Sequence, residues 1–346
     1  MADTEVDDDF LRQADPFRRE LLAHCYRMLG SPHDAEDLVQ ETYLRAWRAY
    51  DRFEGRSSLR TWLHRIATTA CLTALESRGR RPMPTGLGAS SGPGDDLAER
   101  REVPWLEPIP DARAGADDTD PAAIVTERES IRLALVAALQ HLPPRQRAVL
   151  ILRDVLKWRA AEVADAVGLS TAAVNSILQR ARAQLAQAAP KQDQITEPTA
   201  EEERQLLDRY VSAFERKDID QLVSLFTEDV VWEMPPYAAW YAGTDTVAWH
   251  LAERCPARPG GVLMLPVRAN GQPAFAMYLR DPERGDYAAF TLQVLTIDGA
   301  RISHVANFMD AAVFDLFGLP RRQPVPGSAR VAAEEGEQPV AGLAPR

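Results

Sequence analysis

Hydrophobic residues recur with two different periods along the chain, and the change of period separates a helical first half from a mixed second half. From Phe10 to Leu75, apolar positions return every three or four residues, which predicts an almost wholly helical region. Helical spacing resumes over Ala122–Leu142 and continues to Leu185. After Glu201, amphipathic helices are followed by strand-like runs separated by turn residues, which predicts an α+β domain.

The first region divides into three predicted helices. The sequence Gly30-Ser31-Pro32 ends the first helix, and the acidic residues from Asp34 onward suit the first turn of the second, where the helix dipole favours negative charge. The third helix is predicted over Leu59–Leu75. The apolar stripe predicted for the second helix consists of Ala35, Leu38, Val39, Thr42, Tyr43, Ala46 and Trp47.

The stretch Leu142–Leu185 has the pattern of a helix-turn-helix. Gly168 suits a left-handed residue after one helix, and Ser170 can cap the next helix. The second helix has a buried stripe at helical spacing: Val174, Ile177, Leu178, Ala181 and Leu185. Its other face carries short, hydrogen-bonding and cationic side chains, which suit a DNA groove. An ordinary helical hairpin with a solvated polar face is the alternative interpretation.

The second half is predicted to contain three helices, five strands and a short closing helix. The sequences Asn270-Gly271 and Asp298-Gly299 predict hairpin turns between consecutive strands. The predicted helices are Glu202–Glu215, Ile219–Phe226, Thr244–Cys255 and the closing Asp310–Phe317, and the predicted strands are Val230–Met234, Val262–Arg268, Ala274–Arg280, Tyr287–Ile297 and Arg301–Phe308.

Two linkers and a tail separate these units. Residues 78–123 contain seven prolines and six glycines, a composition typical of low-complexity or disordered segments. Within them, Val103–Asp111 (VPWLEPIPD) is apolar enough to predict docking on a surface. Pro190–Thr199 is a short polar linker, and Pro320–Arg346 is predicted to be disordered.

Charge and composition restrict the function. The net charge of −11 argues against a general nucleic-acid coat, whereas residues 141–189 carry a local charge of +4 that fits specific DNA contact. Cys25, Cys71 and Cys255 are scattered, so no metal site or cofactor is predicted and a reducing compartment is favoured. The absence of a signal peptide or a membrane-length apolar run predicts a cytoplasmic protein.

Several motifs in order strongly resemble the extracytoplasmic-function (group four) bacterial RNA polymerase sigma factors. They are DLVQETYLRAW from Asp37, FEGRSSLRTWLHRIA from Phe53, and the helix-turn-helix. The part after Glu202 is similar to SnoaL-like domains of the cone-shaped ketosteroid-isomerase-like fold. The expected fold class is therefore multidomain: two all-α helical sigma domains, the second a helix-turn-helix, and a C-terminal α+β SnoaL-like cone-shaped barrel domain.

The resemblance implies five segments with different tasks. Residues 10–78 would be sigma region 2, which binds core polymerase and the −10 element, and 79–123 the linker with the WLEPIP strip. Residues 124–189 would be sigma region 4, which reads the −35 element. The SnoaL-like regulatory domain would occupy 200–319, followed by the tail 320–346. In the free protein, the flexible linker would let the two DNA-binding modules fold together.

The resemblance also assigns surfaces. Polymerase (β′ and β subunits) would be bound by Asp37, Gln40 and Glu41; without this context, they read as solvated helix charges. The predicted −10 contacts, which combine aromatic rings and cations, are Phe53, Arg56, Ser57, Ser58, Arg60, Trp62 and Arg65, although Trp62 could instead be core. The predicted −35 contacts are Ser170, Thr171, Ala173, Asn175, Ser176, Gln179, Arg180 and Arg182. Arg56 and Arg60 have no obvious burial role.

The SnoaL-like fold implies a pocket at the open end of the cone. The expected lining is Trp232, Tyr237, Trp240, Trp249, His304 and Asn307, with a small apolar ligand or an intramolecular contact as the expected occupant. Asp245 and His304 could serve as acid–base groups, but neither has an evident partner, so no enzyme activity is expected. Two alternatives remain: a stand-alone helix-turn-helix regulator, or a SnoaL-like cyclase or isomerase fused to a DNA-binding module.

Overall fold

A computed structural model describes residues 9–55, 57–114, 129–188 and 198–325 of the 346-residue chain. The described residues form two helical units, an ordered connecting segment and a C-terminal α+β unit. Within these ranges, no helix has both the length and the apolar character that crossing a membrane requires.

The N-terminal unit is a bundle of three helices, α1 (Arg18–Leu29), α2 (Pro32–Ala49) and α3 (Leu59–Ser77). Gly30 ends α1 in the left-handed conformation with φ 73°, as its place in the sequence predicted. The side chain of Ser31 caps α2 by accepting a hydrogen bond from Asp34 N. Of the apolar stripe predicted on α2, Trp47 is 45% exposed, because the buried positions follow a narrower stripe that ends at Ala46.

The second helical unit contains α4 (Leu133–Gln140), α5 (Pro144–Leu150), a π-helical turn (Ile151–Val155), α6 (Ala160–Val167) and α7 (Thr171–Ala188). Gly168 is left-handed and the Ser170 hydroxyl caps α7, so the helix-turn-helix geometry predicted from the sequence is present. The helix predicted over Ala122–Leu142 is interrupted at the extended residue Arg132, and 122–128 lie outside the described residues.

The connecting segment follows a defined path over the described residues 79–114, which corrects the expectation of a disordered linker. Its apolar strip docks as predicted: Trp105, Leu106 and Ile109 are buried. Buried apolar surface of this kind offsets the entropy lost by ordering a proline-rich chain. The remainder of the predicted linker lies outside the described residues.

The C-terminal unit packs three helices against the inner face of a mixed sheet and one short helix, Ala312–Leu316, against its outer face. Its helices are α8 (Ala200–Arg216), α9 (Ile219–Ser224), α10 (Thr244–Glu253) and α11 (Ala312–Leu316). Its strands are β1 (Phe226–Glu233), β2 (Trp240–Ala242), β3 (Val262–Ala269), β4 (Gln272–Arg280), β5 (Tyr287–Asp298), β6 (Arg301–Phe308) and β7 (Arg322–Gln323).

The strand order is β2-β1-β6-β5-β4-β3, with β7 paired to β5. Strands β1 and β6 are parallel, and the other pairs are antiparallel. The five predicted strands are all present, whereas β2 and β7 were not predicted. β7 lies in the predicted tail, where Arg322 bonds Asp281 at 2.7 Å; residues 326–346 lie outside the described part.

Two hydrophobic cores result. One lies in the C-terminal unit, between its first three helices and the inner face of the sheet, around Tyr210, Trp232 and Val305. The other is continuous from the N-terminal bundle through the connecting segment and the helix-turn-helix unit to the outer face of the sheet, where Tyr278 and Leu292 are buried. The three units are therefore packed together around a shared core.

Candidate DNA-binding and polymerase-binding surfaces

The outer face of α2 presents the three residues expected to bind polymerase. Asp37 and Gln40 are exposed, and Glu41 is half-buried with its carboxylate bonded to Arg45 at 2.7 Å. On the same helix, Leu44 is 48% exposed and Trp47 is 45% exposed. A carboxylate row beside large apolar side chains is suited to a partner surface that is both basic and apolar.

The residues predicted to bind the −10 element gather where α3 begins. Phe53 and Trp62 pack with ring centroids 4.8 Å apart and an interplanar angle of 34°. Both rings are half-buried, so Trp62 is neither wholly core nor free. Ser57 is exposed, and Ser58 caps α3 by accepting a hydrogen bond from Thr61 N at 3.1 Å. Arg56 lies outside the described residues.

The two other predicted −10 arginines are engaged within the chain, which corrects the expectation that Arg60 lacks a packing role. Arg60 Nε bonds the buried carboxylate of Glu20 at 2.8 Å, because α1 and α3 cross there. Arg65 bonds Asp165 at 2.7 Å, and Asp165 belongs to α6 of the other helical unit. One of the predicted −10 arginines thus pairs with a carboxylate of the second helical unit.

The predicted −35 face lies on the exposed side of α7. Seven of its residues are exposed and one, Ala173, is half-buried; the exposed ones are Ser170, Thr171, Asn175, Ser176, Gln179, Arg180 and Arg182. Arg182 makes a two-point contact with Asp154, at 2.7 and 2.9 Å. This hydrogen-bonded carboxylate raises the pKa of the Arg182 guanidinium. Arg182 is thus engaged by a carboxylate of its own unit, beside the predicted −35 face.

Buried arginines join the two helical units. Arg147 on α5 is 2% exposed and donates to Met28 O of α1, as well as to Gln140 Oε1 at 2.8 Å. Its burial lowers the pKa of the guanidinium to about 10. Arg27 on α1 is also buried and donates to Ser130 Oγ at 2.6 Å. The bonds to Met28 O and to Ser130 Oγ cross the interface between the two helical units.

The turn between β3 and β4 reaches the junction of all three units. Asn270 is fully buried with φ 57°, and its Nδ2 donates to Tyr26 Oη of α1 and to Ile131 O before α4, both at 2.8 Å. Its Oδ1 accepts a hydrogen bond from Ile109 N of the connecting segment at 3.0 Å. One side chain of the C-terminal unit therefore bonds to both helical units and to the segment between them.

A cavity of about 260 Å³ opens inside the cone. Three of the predicted lining residues, Trp232, Tyr237 and Asn307, are on its wall. Three others lie elsewhere because each has a different neighbour: Trp240 donates to Gly88 O at 3.1 Å, Trp249 packs beneath the Arg254 guanidinium, and His304 lies 2.9 Å from Glu233. A carboxylate that the sequence did not indicate thus lies beside His304, although His304 Nε2 forms no hydrogen bond with the described residues.

Comparisons with known proteins match three separate parts of the chain. A family model described as sigma-70 region 2 matches residues 14–81, one described as sigma-70 region 4 matches 132–185, and a SnoaL-like domain model matches 207–305. The ECF RNA polymerase sigma factor SigG of Mycobacterium tuberculosis is 59% identical over 316 residues, which cover 90% of this chain and 84% of SigG. The chain belongs to the ECF RNA polymerase sigma factors.

A second relative extends the comparison. SigJ of Mycobacterium tuberculosis, another ECF RNA polymerase sigma factor, is 33% identical over 215 residues, 62% of this chain and 61% of SigJ. The crystal structure of SigJ matches with a TM-score of 0.55 at 24% identity, and it covers 88% of this chain and 97% of SigJ. This likeness shows that the two chains share a fold.

The residues that hold this sigma factor together could not be identified from the sequence. Arg147 was counted in the local charge of +4, although its guanidinium is buried and faces backbone carbonyls. Nothing in the spacing separates a buried arginine from one that faces a groove. Asn270 was recognised as a turn residue, but its partners lie more than 130 residues away in the chain. The Asn270-Gly271 dipeptide predicts the left-handed turn, but nothing near it in the sequence predicts these distant hydrogen bonds.

Proposed function

We propose that this sigma factor binds core RNA polymerase and directs it to promoters through −10 and −35 contacts, and that the described arrangement is its closed resting form. The observation that carries the proposal is the packing of the two DNA-reading units on each other. Their cores are continuous, and Arg65 is paired with Asp165 across the interface. His64 of α3 also meets Trp158 edge-on, with centroids 6.4 Å apart.

This packing is incompatible with simultaneous reading of both promoter elements. Sites two helical turns apart on DNA are separated by roughly 70 Å. Units that share a core and an ion pair cannot span that distance, so the two must separate when polymerase and DNA bind. The exposed face of α2, with Asp37, Gln40 and Glu41, remains available in the closed form as the first contact with polymerase.

The C-terminal domain holds the two helical units in the closed form. Asn270 bonds to both helical units, and Gln272 Oε1 accepts a hydrogen bond from Leu133 N at 2.9 Å. The connecting segment is also held, because Thr85 N donates to Glu233 at 2.8 Å. We assign the domain a regulatory task in the cytoplasm and no catalytic one, because its buried side chains Asn270, Gln272 and Glu233 bond the helical units and the connecting segment.

Run-off transcription with core polymerase and start-site mapping tests the proposal. The sigma factor is expected to give discrete start sites downstream of −10 and −35 elements, and to shift promoter DNA in a gel only when core polymerase is present. An operator-like shift by the protein alone would favour the stand-alone regulator instead. Turnover of a polyketide-like or steroid-like compound by the C-terminal domain would support the fused-enzyme alternative.

A further inference from the structure

The cavity inside the cone has one wall that does not belong to the C-terminal domain. Aromatic and sulfur-containing side chains such as Phe214, Trp232, Met277 and Phe290 form most of the lining. Leu97 completes it, and Leu97 belongs to the segment that connects the two DNA-reading units. A molecule in this cavity would therefore touch the interdomain connection directly.

Backbone hydrogen bonds hold this connecting segment against the domain. Ser91 N donates to Trp240 O at 2.7 Å, and Arg100 N donates to Pro236 O at 2.9 Å. Trp240 Nε1 in turn donates to Gly88 O at 3.1 Å. Residues 88–100 thus lie along the loop 236–240, and Leu97, between these contacts, closes the cavity.

Three polar side chains on the cavity wall, Thr291, Gln293 and Asn307, are already hydrogen-bonded within the domain. Gln293 Nε2 donates to Asn307 Oδ1 at 2.9 Å, and Thr291 Oγ1 donates to Phe308 O at 3.2 Å. Two buried ring nitrogens on the wall, Trp232 Nε1 and His250 Nδ1, have no hydrogen-bonding partner among the described residues. A buried N–H group without a partner costs free energy that an acceptor on a ligand would recover.

The electrostatics of the wall favour an uncharged occupant. Burial lowers the pKa of His250 to about 4, so its imidazole is neutral at physiological pH. Arg254 is the one formally charged side chain in the described lining, and its guanidinium lies 5.0 Å from the centroid of the Trp249 ring. That contact holds the guanidinium over the Trp249 ring, and the other side chains of the described lining carry no formal charge.

We propose that this cavity binds an uncharged, flat, two-ring aromatic compound with a hydrogen-bond acceptor, and that the bound compound holds the connecting segment in place through Leu97. The size follows from the volume, since about 150 Å³ accommodates a benzene ring and this cavity is about 260 Å³. The acceptor on the compound would receive a hydrogen bond from the Trp232 N–H group. The regulatory consequence rests on the proposed closed resting form, because a ligand that binds the closed form stabilises it.

Binding is tested with coumarin, an uncharged bicyclic lactone, and with naphthalene, which has two rings and no acceptor. Ligand-observed NMR on the full-length protein is expected to give a Kd about fivefold lower for coumarin, the value of one net hydrogen bond. Trp232→Phe keeps a ring and removes the N–H group, so it should abolish that preference. Trp249→Phe, off the cavity wall, should retain it. Equal affinities in the wild-type protein, or a preference that survives Trp232→Phe, would overturn the ligand assignment.

Coupling to the connecting segment is tested by hydrogen exchange of the peptide that covers residues 88–103. With coumarin at ten times its Kd, exchange is expected to slow about tenfold in the wild-type protein. In Leu97→Ala, coumarin should still bind but slow exchange much less. Unchanged exchange in the saturated wild-type protein would refute the coupling. Run-off transcription without coumarin reports on the sigma function separately, so failure of one proposal is distinguishable from failure of the other.

Discussion

The substitution Asn270→Gly tests the restraint at the junction of the three units. Asn270 has φ 57°, a conformation that glycine adopts without strain, so the turn between β3 and β4 should survive. The substitution removes two donated hydrogen bonds, to Tyr26 and Ile131, and one accepted from Ile109. The backbone bond from residue 270 N to Ile109 O remains available.

The expected destabilisation of the closed form follows from these three buried hydrogen bonds. At about 1 kcal/mol net for each, the closed form should lose about 3 kcal/mol relative to the open form. This corresponds to a shift of roughly a hundredfold in the closing equilibrium. At sub-saturating concentrations of the sigma factor, run-off transcription should therefore rise, because a larger fraction of molecules is competent to bind polymerase and promoter.

A matched control separates the restraint from a general loss of stability. Glu283→Gly changes an exposed residue in the turn between β4 and β5, at the opposite end of β4, and should leave transcription unchanged. Circular dichroism should show the same helix content in both variants. Transcription by Asn270→Gly that equals the wild-type level, in a folded protein, would refute the restraint at this junction.

Three further predictions concern promoter reading and stability. Gln179→Ala should relax the preference for the −35 sequence, whereas Arg182→Ala should weaken binding to all sequences alike; a panel of −35 variants decides, each good base contact being worth roughly 1–3 kcal/mol. Arg147→Ala leaves buried carbonyls unpaired, so urea unfolding should show a loss of about 3 kcal/mol; an unchanged midpoint would contradict the buried role. Burial lowers the pKa of His24 and His64, so below pH 7 the unfolded chain binds more protons at these two residues than the folded protein does. The melting temperature should therefore fall from pH 7 to pH 5. An unchanged melting temperature would argue against neutral buried imidazoles.

The elements that could be predicted are those with local causes. Gly30 and Gly168 end helices at the positions predicted from the sequence. Ser31 and Ser170 cap the helices that follow. Strand positions followed from alternation and from turn sequences such as Asn270-Gly271. β2 was missed because three residues are too few to show a period.

The long-range ion pairs could not be predicted because the two partners are distant in the chain. Arg60 finds its carboxylate 40 residues away, and Arg65 finds one 100 residues away. A cation suited to DNA and a cation paired in the closed form have the same sequence signature. In the cavity, His304 was expected on the wall, but Glu233 on the neighbouring strand pairs with it.

The distance between the two DNA-reading units, with and without polymerase, distinguishes the closed resting form from an open one. Spin labels at Arg48→Cys on α2 and Ala183→Cys on α7 occupy exposed positions, and a Cys255→Ala background leaves only the buried Cys25 and Cys71. Pulsed electron paramagnetic resonance should give one narrow distance in the free sigma factor. With core polymerase and promoter DNA, that distance should lengthen by tens of ångströms, as promoter elements roughly 70 Å apart require. A broad, long distribution in the free protein, or an unchanged distance in the complex, would contradict the closed resting form.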